Sequence, residues 1–288
     1  MPASSARNRA RRLARHGADD RGQGITPALV CPLVLAQAAE IEALPAGQFL
    51  TDPTKLANGL RALHGAFGTD VIVTAAADDL AACSLAGCSP AGCSPAAAAA
   101  GAAGHPRVTA AVEATRRLAA TTGDTVLAAA LSGPAQLAAQ LGRAPAGPAA
   151  LEEYGAVLLA LAKAFLEAGA HLLLVVEAEP VPRAVADGWR SAVTPLVNVA
   201  RFRQAAAAVV LADPADAALA PRGAVVCLPP AASGPGQGIA LDVDPAAWPA
   251  SALRLAGRPL LTTLGPVRGG FAECRAAVGK LTAALAEG

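Results

Sequence analysis

Carboxylates at the ends of apolar runs are the residues of this chain with the most chemistry to offer. Glu177 and Glu179 close the run "AHLLLVVEAEP" (170–180). Alternation along an extended strand sets both on one face. Two carboxylates held close drive their proton affinities apart, which suits one of them to proton transfer. The plainer alternative is a pair facing water or bonded to Arg183. Asp78 and Asp79 follow the run "DVIVTAAA" (70–77), and Asp213 closes "AAAVVLADP" (206–214). A carboxylate in such a place can stabilise developing positive charge, or simply cap a helix. Arg183, Arg203 and Arg268 are the candidate binders of an anionic substrate. Arg268 stands in "GPVRGG", where glycine backbone and a following helix start favour phosphate or carboxylate. A surface turn is the alternative there.

The remaining candidates are weaker. Cys83, Cys88 and Cys93 recur in a Gly-Cys-Ser-Pro near-repeat, but without a fourth ligand nearby they predict no metal site. Cys31 and Cys227 read as small buried side chains. The four histidines do not cluster. His105 precedes Pro106 at a helix start, and His171 opens a strand. No dinucleotide fingerprint, phosphate-binding loop or Gly-x-Ser-x-Gly elbow is present, which disfavours nicotinamide, nucleoside triphosphate and serine hydrolase chemistry. No cofactor is expected.

These groups must be positioned by a chain of 288 residues, long enough for one large α/β barrel or two modest domains. Hydrophobic residues make up 54% but aromatics only 3%, much of the apolar content being alanine. Alanine suits close-packed helices. The longest apolar stretch, 154–176, is broken by Lys163, Glu167 and His171, so no membrane span is predicted. A formal charge of +1 gives no broad field for nucleic acid or anionic membranes. Arg7, Arg9, Arg11, Arg12, Arg15 and Arg21 crowd the start, and residues 1–24 read as a basic, solvated, disordered arm before a single domain over 25–288. With no apolar run after the arm and no disulfide framework, a cytoplasmic protein with a small-molecule substrate is expected.

Apolar runs then alternate with helical periodicity. Asp52 and Pro53 open a helix over 49–67, with Leu56, Leu60, Leu63 and Phe67 on one face. The run at 70–77 reads as a buried strand, 82–104 as a low-complexity loop, and 106–121 as a helix. Strand 124–131, a short helix at 135–141, a strong helix at 151–168 and strand 170–180 follow. Residues 182–191 read as helix and 195–200 as a strand. Apolar runs at 206–214, 223–229, 238–243 and 258–267 precede a final helix at 271–286. This alternation predicts a (β/α)8 TIM-type barrel, irregular or trimmed in its second half. An open doubly wound sheet is the structural rival.

Four stretches carry a likeness to a known family: "FLTDPTKLANGLRALHGAFGTDVIV", "HPRVTAAVEATRRLAATTGD", "TVLAAALSGPAQLAAQLGR" and "YGAVLLALAKAFLEAGAHLLLVVEAEP". In this order, over about 49–180, the chain resembles the uroporphyrinogen decarboxylase superfamily, which also contains corrinoid-linked methyltransferases. The resemblance implies a barrel, often a homodimer. Its leading implication is a cofactor-free decarboxylase-like lyase acting on a pyrrolic or other polycarboxylate substrate. Asp78 would hold the substrate nitrogen, Glu177 or Glu179 would manage a proton, and Arg183, Arg203 and Arg268, with Asp213 beside them, would line the binding site. The alternatives are a zinc- or corrinoid-linked methyltransferase-like protein and a non-catalytic small-molecule-binding barrel. The chain departs from the decarboxylases in having no arginine between 22 and 60, where their carboxylate-holding motif stands. It departs from the methyltransferases in having neither His nor Cys in "AAVVLADP", where they carry a zinc-binding pair.

Overall fold

A computed structural model describes residues 5–16, 28–77, 80–85, 95–143, 147–248 and 258–287. In chain order its elements are α1 (Ala6–His16), β1 (Leu29–Cys31), α2 (Ala36–Ile41), α3 (Ala46–Phe49), α4 (Pro53–Phe67), β2 (Val71–Ala76), α5 (Leu80–Leu85), α6 (Pro95–Gly104), α7 (Pro106–Thr121) and β3 (Val126–Ser132). The second half continues with α8 (Pro134–Gln140), α9 (Pro148–Glu167), β4 (Leu172–Glu177), α10 (Ala186–Phe202), β5 (Ala206–Leu211), β6 (Val225–Leu228), β7 (Gly238–Leu241), β8 (Leu260–Thr263) and α11 (Phe271–Glu287). The eight strands form one parallel sheet in the order β1-β8-β7-β6-β5-β4-β3-β2. β1 lies beside β2, so the sheet curls into a nearly closed (β/α)8 barrel.

Local sequence explains the elements. Asp52 caps α4, its carboxylate accepting from Thr54 N at 2.8 Å and Lys55 N at 3.0 Å, and Gly68 closes the helix in the left-handed region at φ 65°. β3, β4 and β5 are buried along their whole length, as strands covered on both faces must be. Register sorts the two faces. Glu177 bonds to Trp189 on α10, so its face looks toward the helices. The adjacent Val176 therefore points into the barrel. Val176 pairs with Ser132 and Val210, Val210 with Cys227, and Cys227 with Gly238, which all share the inward face. Alternation adds Ala128, Ala130 and Ala208. Alanines thus flank Leu172 and Leu174 on the inward face, and a Cβ at Gly238 would collide with the Cys227 sulfur.

The second half is trimmed, as its short linkers predict. Among the described residues only short 3-10 turns, Pro214–Leu219 and Pro245–Ala247, connect β5 to β6 and β7 to β8, and no helix joins β6 to β7. Val226, whose face lacks a covering helix there, is half-buried.

Three expectations are corrected. Residues Ala6–His16 are helical and packed, not a solvated arm. Ala6, Ala10 and Leu13 are buried, Arg9 pairs with Asp70 at 2.6 Å, and Ala6 N donates to Asp124 at 2.9 Å. These partners precede β2 and β3, so α1 closes the barrel at the N-terminal ends of its strands. The arginines hid an apolar stripe at helical spacing. Residues 195–200 are the middle of α10 rather than a strand. Pro195 forfeits one helical hydrogen bond, but Trp189, Val193, Leu196, Val197 and Ala200 bury one face. Within 82–104, α5 and α6 replace part of the expected loop, since alanine runs favour helix; residues 86–94, with Cys88 and Cys93, lie outside the described residues.

Candidate functional site: a cleft at the C-terminal rim

The ends of β3 and β4 build the most developed polar arrangement. After Ser132 the chain turns at Gly133, whose N–H donates to Val176 O at 2.7 Å, and Pro134 begins α8. Pro suits that first position because it has no N–H to leave unsatisfied. The next two N–H groups are satisfied from the neighbouring strand. Ala135 N donates to Glu177 Oε1 at 3.0 Å and Gln136 N to Oε2 at 2.7 Å. The Trp189 indole N–H adds a third bond to Oε1 at 2.7 Å. Gln136 returns the connection, its Oε1 accepting from Ala178 N at 2.8 Å. A side chain at position 133 would collide with the Glu177 carboxylate, so only glycine fits.

Glu177 is 1% exposed. Its carboxyl is pushed up to about 7 on balance: burial raises it, the three N–H donors pull against that, and Asp216 adds a smaller upward push. Asp216 is itself 1% exposed. Its Oδ2 accepts from Val181 N at 2.8 Å, and its Oδ1 lies 3.6 Å from the Arg183 guanidinium. Sequence reading passed over Asp216. Its signal was the second acid of "ADPADAA", which turns inward because Asp213 starts the 3-10 turn.

Between α8 and the segment after β4 lies a cleft of about 600 Å³, lined by Gln136, Gln140, Arg143, Glu177, Glu179 and Pro180 among others. Arg143 is placed by the end of α8. Gly142 takes φ 68°, and Arg143 N donates to Ala138 O at 2.9 Å, a Schellman closure. Arg143 and Glu179 have no side-chain ion pair or hydrogen bond among the described residues. The cleft therefore carries one unengaged cation and one unengaged anion.

The sequence-derived candidates fall in different places. Glu177 and Glu179 line the same cleft but not one strand face: β4 stops at Glu177, and Glu179 stands exposed in the bend beyond it. Glu177 faces the helix layer rather than the barrel axis. Arg183 sits at the same rim, paired with Asp216 rather than Glu179. Asp213 caps the following 3-10 turn, accepting from Ala215 N at 2.8 Å. Arg268 is exposed after β8, its N–H on Val243 O at 2.8 Å. Arg203 is a correction. It follows α10 at the N-terminal ends of the strands and pairs with Glu167 at 2.7 Å, so it is on the far side of the barrel from the rim. Asp78 and Asp79 lie outside the described residues.

The residues do not fit the zinc centre that the resemblance implies. Among the described residues no group of three or more His, Cys, Asp or Glu could hold a metal ion. β5 carries neither His nor Cys. The Cys274 thiol, its proton affinity raised to about 11 by burial, packs on Arg268 O at 3.5 Å. Among the described residues no helix is long and apolar enough to cross a membrane.

Comparison with known proteins gives the fold. No family model and no curated protein matches the chain. Among solved structures, a methyltransferase from Methanosarcina mazei superposes over 98% of this chain and 98% of its own, with a TM-score of 0.66 at 14% identity. The metallated form of the homocysteine methyltransferase MmuM from Escherichia coli superposes over 93% of this chain and 99% of its own, with a TM-score of 0.57 at 16% identity. The apo form of that enzyme gives a TM-score of 0.53 at 18% identity. The (β/α)8 barrel is thus shared with methyltransferases along nearly the whole chain.

Proposed function

We propose that this protein is a methyltransferase-type barrel, a divergent relative of the uroporphyrinogen decarboxylase superfamily, whose acceptor is a small amino-acid thiol held in the rim cleft. The observation that carries the reading is the pair of unengaged charges, Arg143 and Glu179, lining one cleft at the C-terminal rim, where barrel enzymes place their sites. An α-amino acid presents the complementary set: its carboxylate meets Arg143 and its ammonium meets Glu179. Gln140 offers an amide to either. The whole-chain likeness to methyltransferase barrels supports methyl transfer over decarboxylation. In such a transfer the acceptor sulfur bonds the methyl carbon, the carrier leaves with the electron pair of the broken bond, and the thiol proton passes to solvent.

Glu177 acts here as a positioning residue, fixing α8 and with it Gln136, Gln140 and Arg143. Asp78, next in sequence after β2 and its following residue Ala77, is the remaining candidate for contact with the reacting groups. The decarboxylase reading has less support, because no arginine stands between 22 and 60 and Arg203 is far from the rim. A non-catalytic small-molecule-binding barrel is the second reading, favoured by the complete engagement of the Glu177 carboxylate by N–H donors.

The test is incubation with homocysteine and, in separate arms, a methyl-corrinoid or a methyl-sulfonium donor, followed by mass spectrometry of the thioether. Product in either arm supports the reading. Saturable homocysteine binding without product favours the binding barrel. Loss of CO2 from uroporphyrinogen, with no thioether, would return the decarboxylase.

A further inference from the structure

The opposite end of the barrel holds a second cleft, of about 410 Å³, lined by Arg11, Ala14, Arg15, Arg201, Phe202 and Gln204. Arg11 and Arg15 stand one helical turn apart on α1, and Arg201 and Phe202 end α10. The cleft exists because α1 folds across the strand ends. Among the described residues, the acids around α1 and the end of α10 are already engaged: Asp70 with Arg9 at 2.6 Å, Asp124 with Ala6 N at 2.9 Å, and Glu167 with Arg203 at 2.7 Å. Arg11, Arg15 and Arg201 have no acidic partner among the described residues. Three arginines lining one cleft bring like charges together, and a multiply charged anion would relieve their repulsion.

Two further features narrow the ligand. Phe202 is 83% exposed, a large aromatic ring left in water beside the three cations. The carbonyls at the end of α10, whose partial negative charge would oppose an anion, are capped: Arg203 N bonds Val199 O at 3.0 Å, Gln204 N bonds Arg201 O at 2.9 Å and Ala205 N bonds Ala200 O at 2.9 Å. Guanidinium forks match phosphate oxygens, and an exposed aromatic ring offers a stacking face to a base.

We propose that this cleft binds a nucleoside triphosphate, its phosphates on Arg11, Arg15 and Arg201 and its base against Phe202. The site is separate from the rim cleft and does not depend on the reaction proposed there.

The experiment is calorimetric titration of the full chain with ATP, inorganic triphosphate and adenosine, against the Arg11→Ala/Arg15→Ala double variant and Phe202→Ala. All the substituted side chains are exposed, so the variants should fold, and thermal melts of each variant check this. The expected result is one saturable ATP site, weakened at least tenfold in the double variant. Phe202→Ala should weaken ATP several-fold and leave inorganic triphosphate unchanged. Equal binding of ATP to wild type and double variant, or no saturable binding, overturns the proposal. So does a single-stranded oligonucleotide that binds more tightly than ATP, which would make the surface a nucleic-acid contact.

Discussion

The indole N–H of Trp189 donates to Glu177 Oε1 at 2.7 Å, joining α10 to the end of β4 at the point where that carboxylate also holds the start of α8. Glu177→Gln keeps the shape but turns an amide N–H toward N–H donors. Its expected cost is about 1–3 kcal/mol, read as a lowered urea midpoint. An unchanged midpoint would mean that the three bonds contribute nothing net.

Stability against pH should show two opposed groups. Burial raises the Glu177 carboxyl from 4.5 to about 7. Between those values the native state holds a proton that the unfolded chain has released, so this contribution is present at low pH and lost as pH rises through the window. Burial, then Arg7 and Arg11, lower His171 from 6.5 to about 4. Its Nδ1 accepts from Leu127 N at 3.1 Å and must stay unprotonated. That contribution is present above 6.5 and lost as pH falls toward 4. The wild type should therefore vary little between pH 4.5 and 6.5. Glu177→Gln should become more stable with rising pH across that range, and His171→Asn, whose amide oxygen can still accept from Leu127, less stable. Urea midpoints at several pH values decide it, and parallel profiles for all three proteins would contradict the assignment.

Two glycines should respond in opposite directions to alanine. At Gly133 a Cβ meets the Glu177 carboxylate, so Gly133→Ala should unlock α8 and lower the melting temperature. At Gly279, within α11, a Cβ meets nothing within 4 Å, and Gly279→Ala should stabilise by about 0.5–1 kcal/mol. Paired thermal melts test both.

Much of the barrel was legible because buried parallel strands are continuous apolar runs and Asp52, Pro53 and Gly68 punctuate α4 by type alone. The failures have physical causes. Five arginines within Ala6–His16 masked the Ala6, Ala10 and Leu13 stripe, which gains its partner only when the barrel floor exists. Residues 195–200 read as a strand because the burial that holds them in α10 comes from distant elements, α9 foremost and then β5 and β4. The cleft was legible only in part. Glu177 and Glu179 stood out at a strand end, but Arg143 enters through a Schellman turn and Asp216 through a cap on its neighbour. Neither relationship shows in a linear pattern.

Helix α1 should behave as part of the folded domain. Leu13→Ala removes a fully buried side chain and should cost about 2–5 kcal/mol. Hydrogen exchange of amides 9–16 should then accelerate. Amides that exchange freely in the wild type would contradict the packed helix.

The central claim is that the rim cleft holds the acceptor of a methyl transfer through Arg143 and Glu179. The most direct measurement is the initial rate of thioether formation against homocysteine concentration, for wild type and Arg143→Ala. The account predicts turnover by the wild type and a KM raised about tenfold or more in the variant, because a carboxylate contact made in ground and transition states alike is lost. Identical KM values, or no thioether from the wild type with any donor, would contradict it.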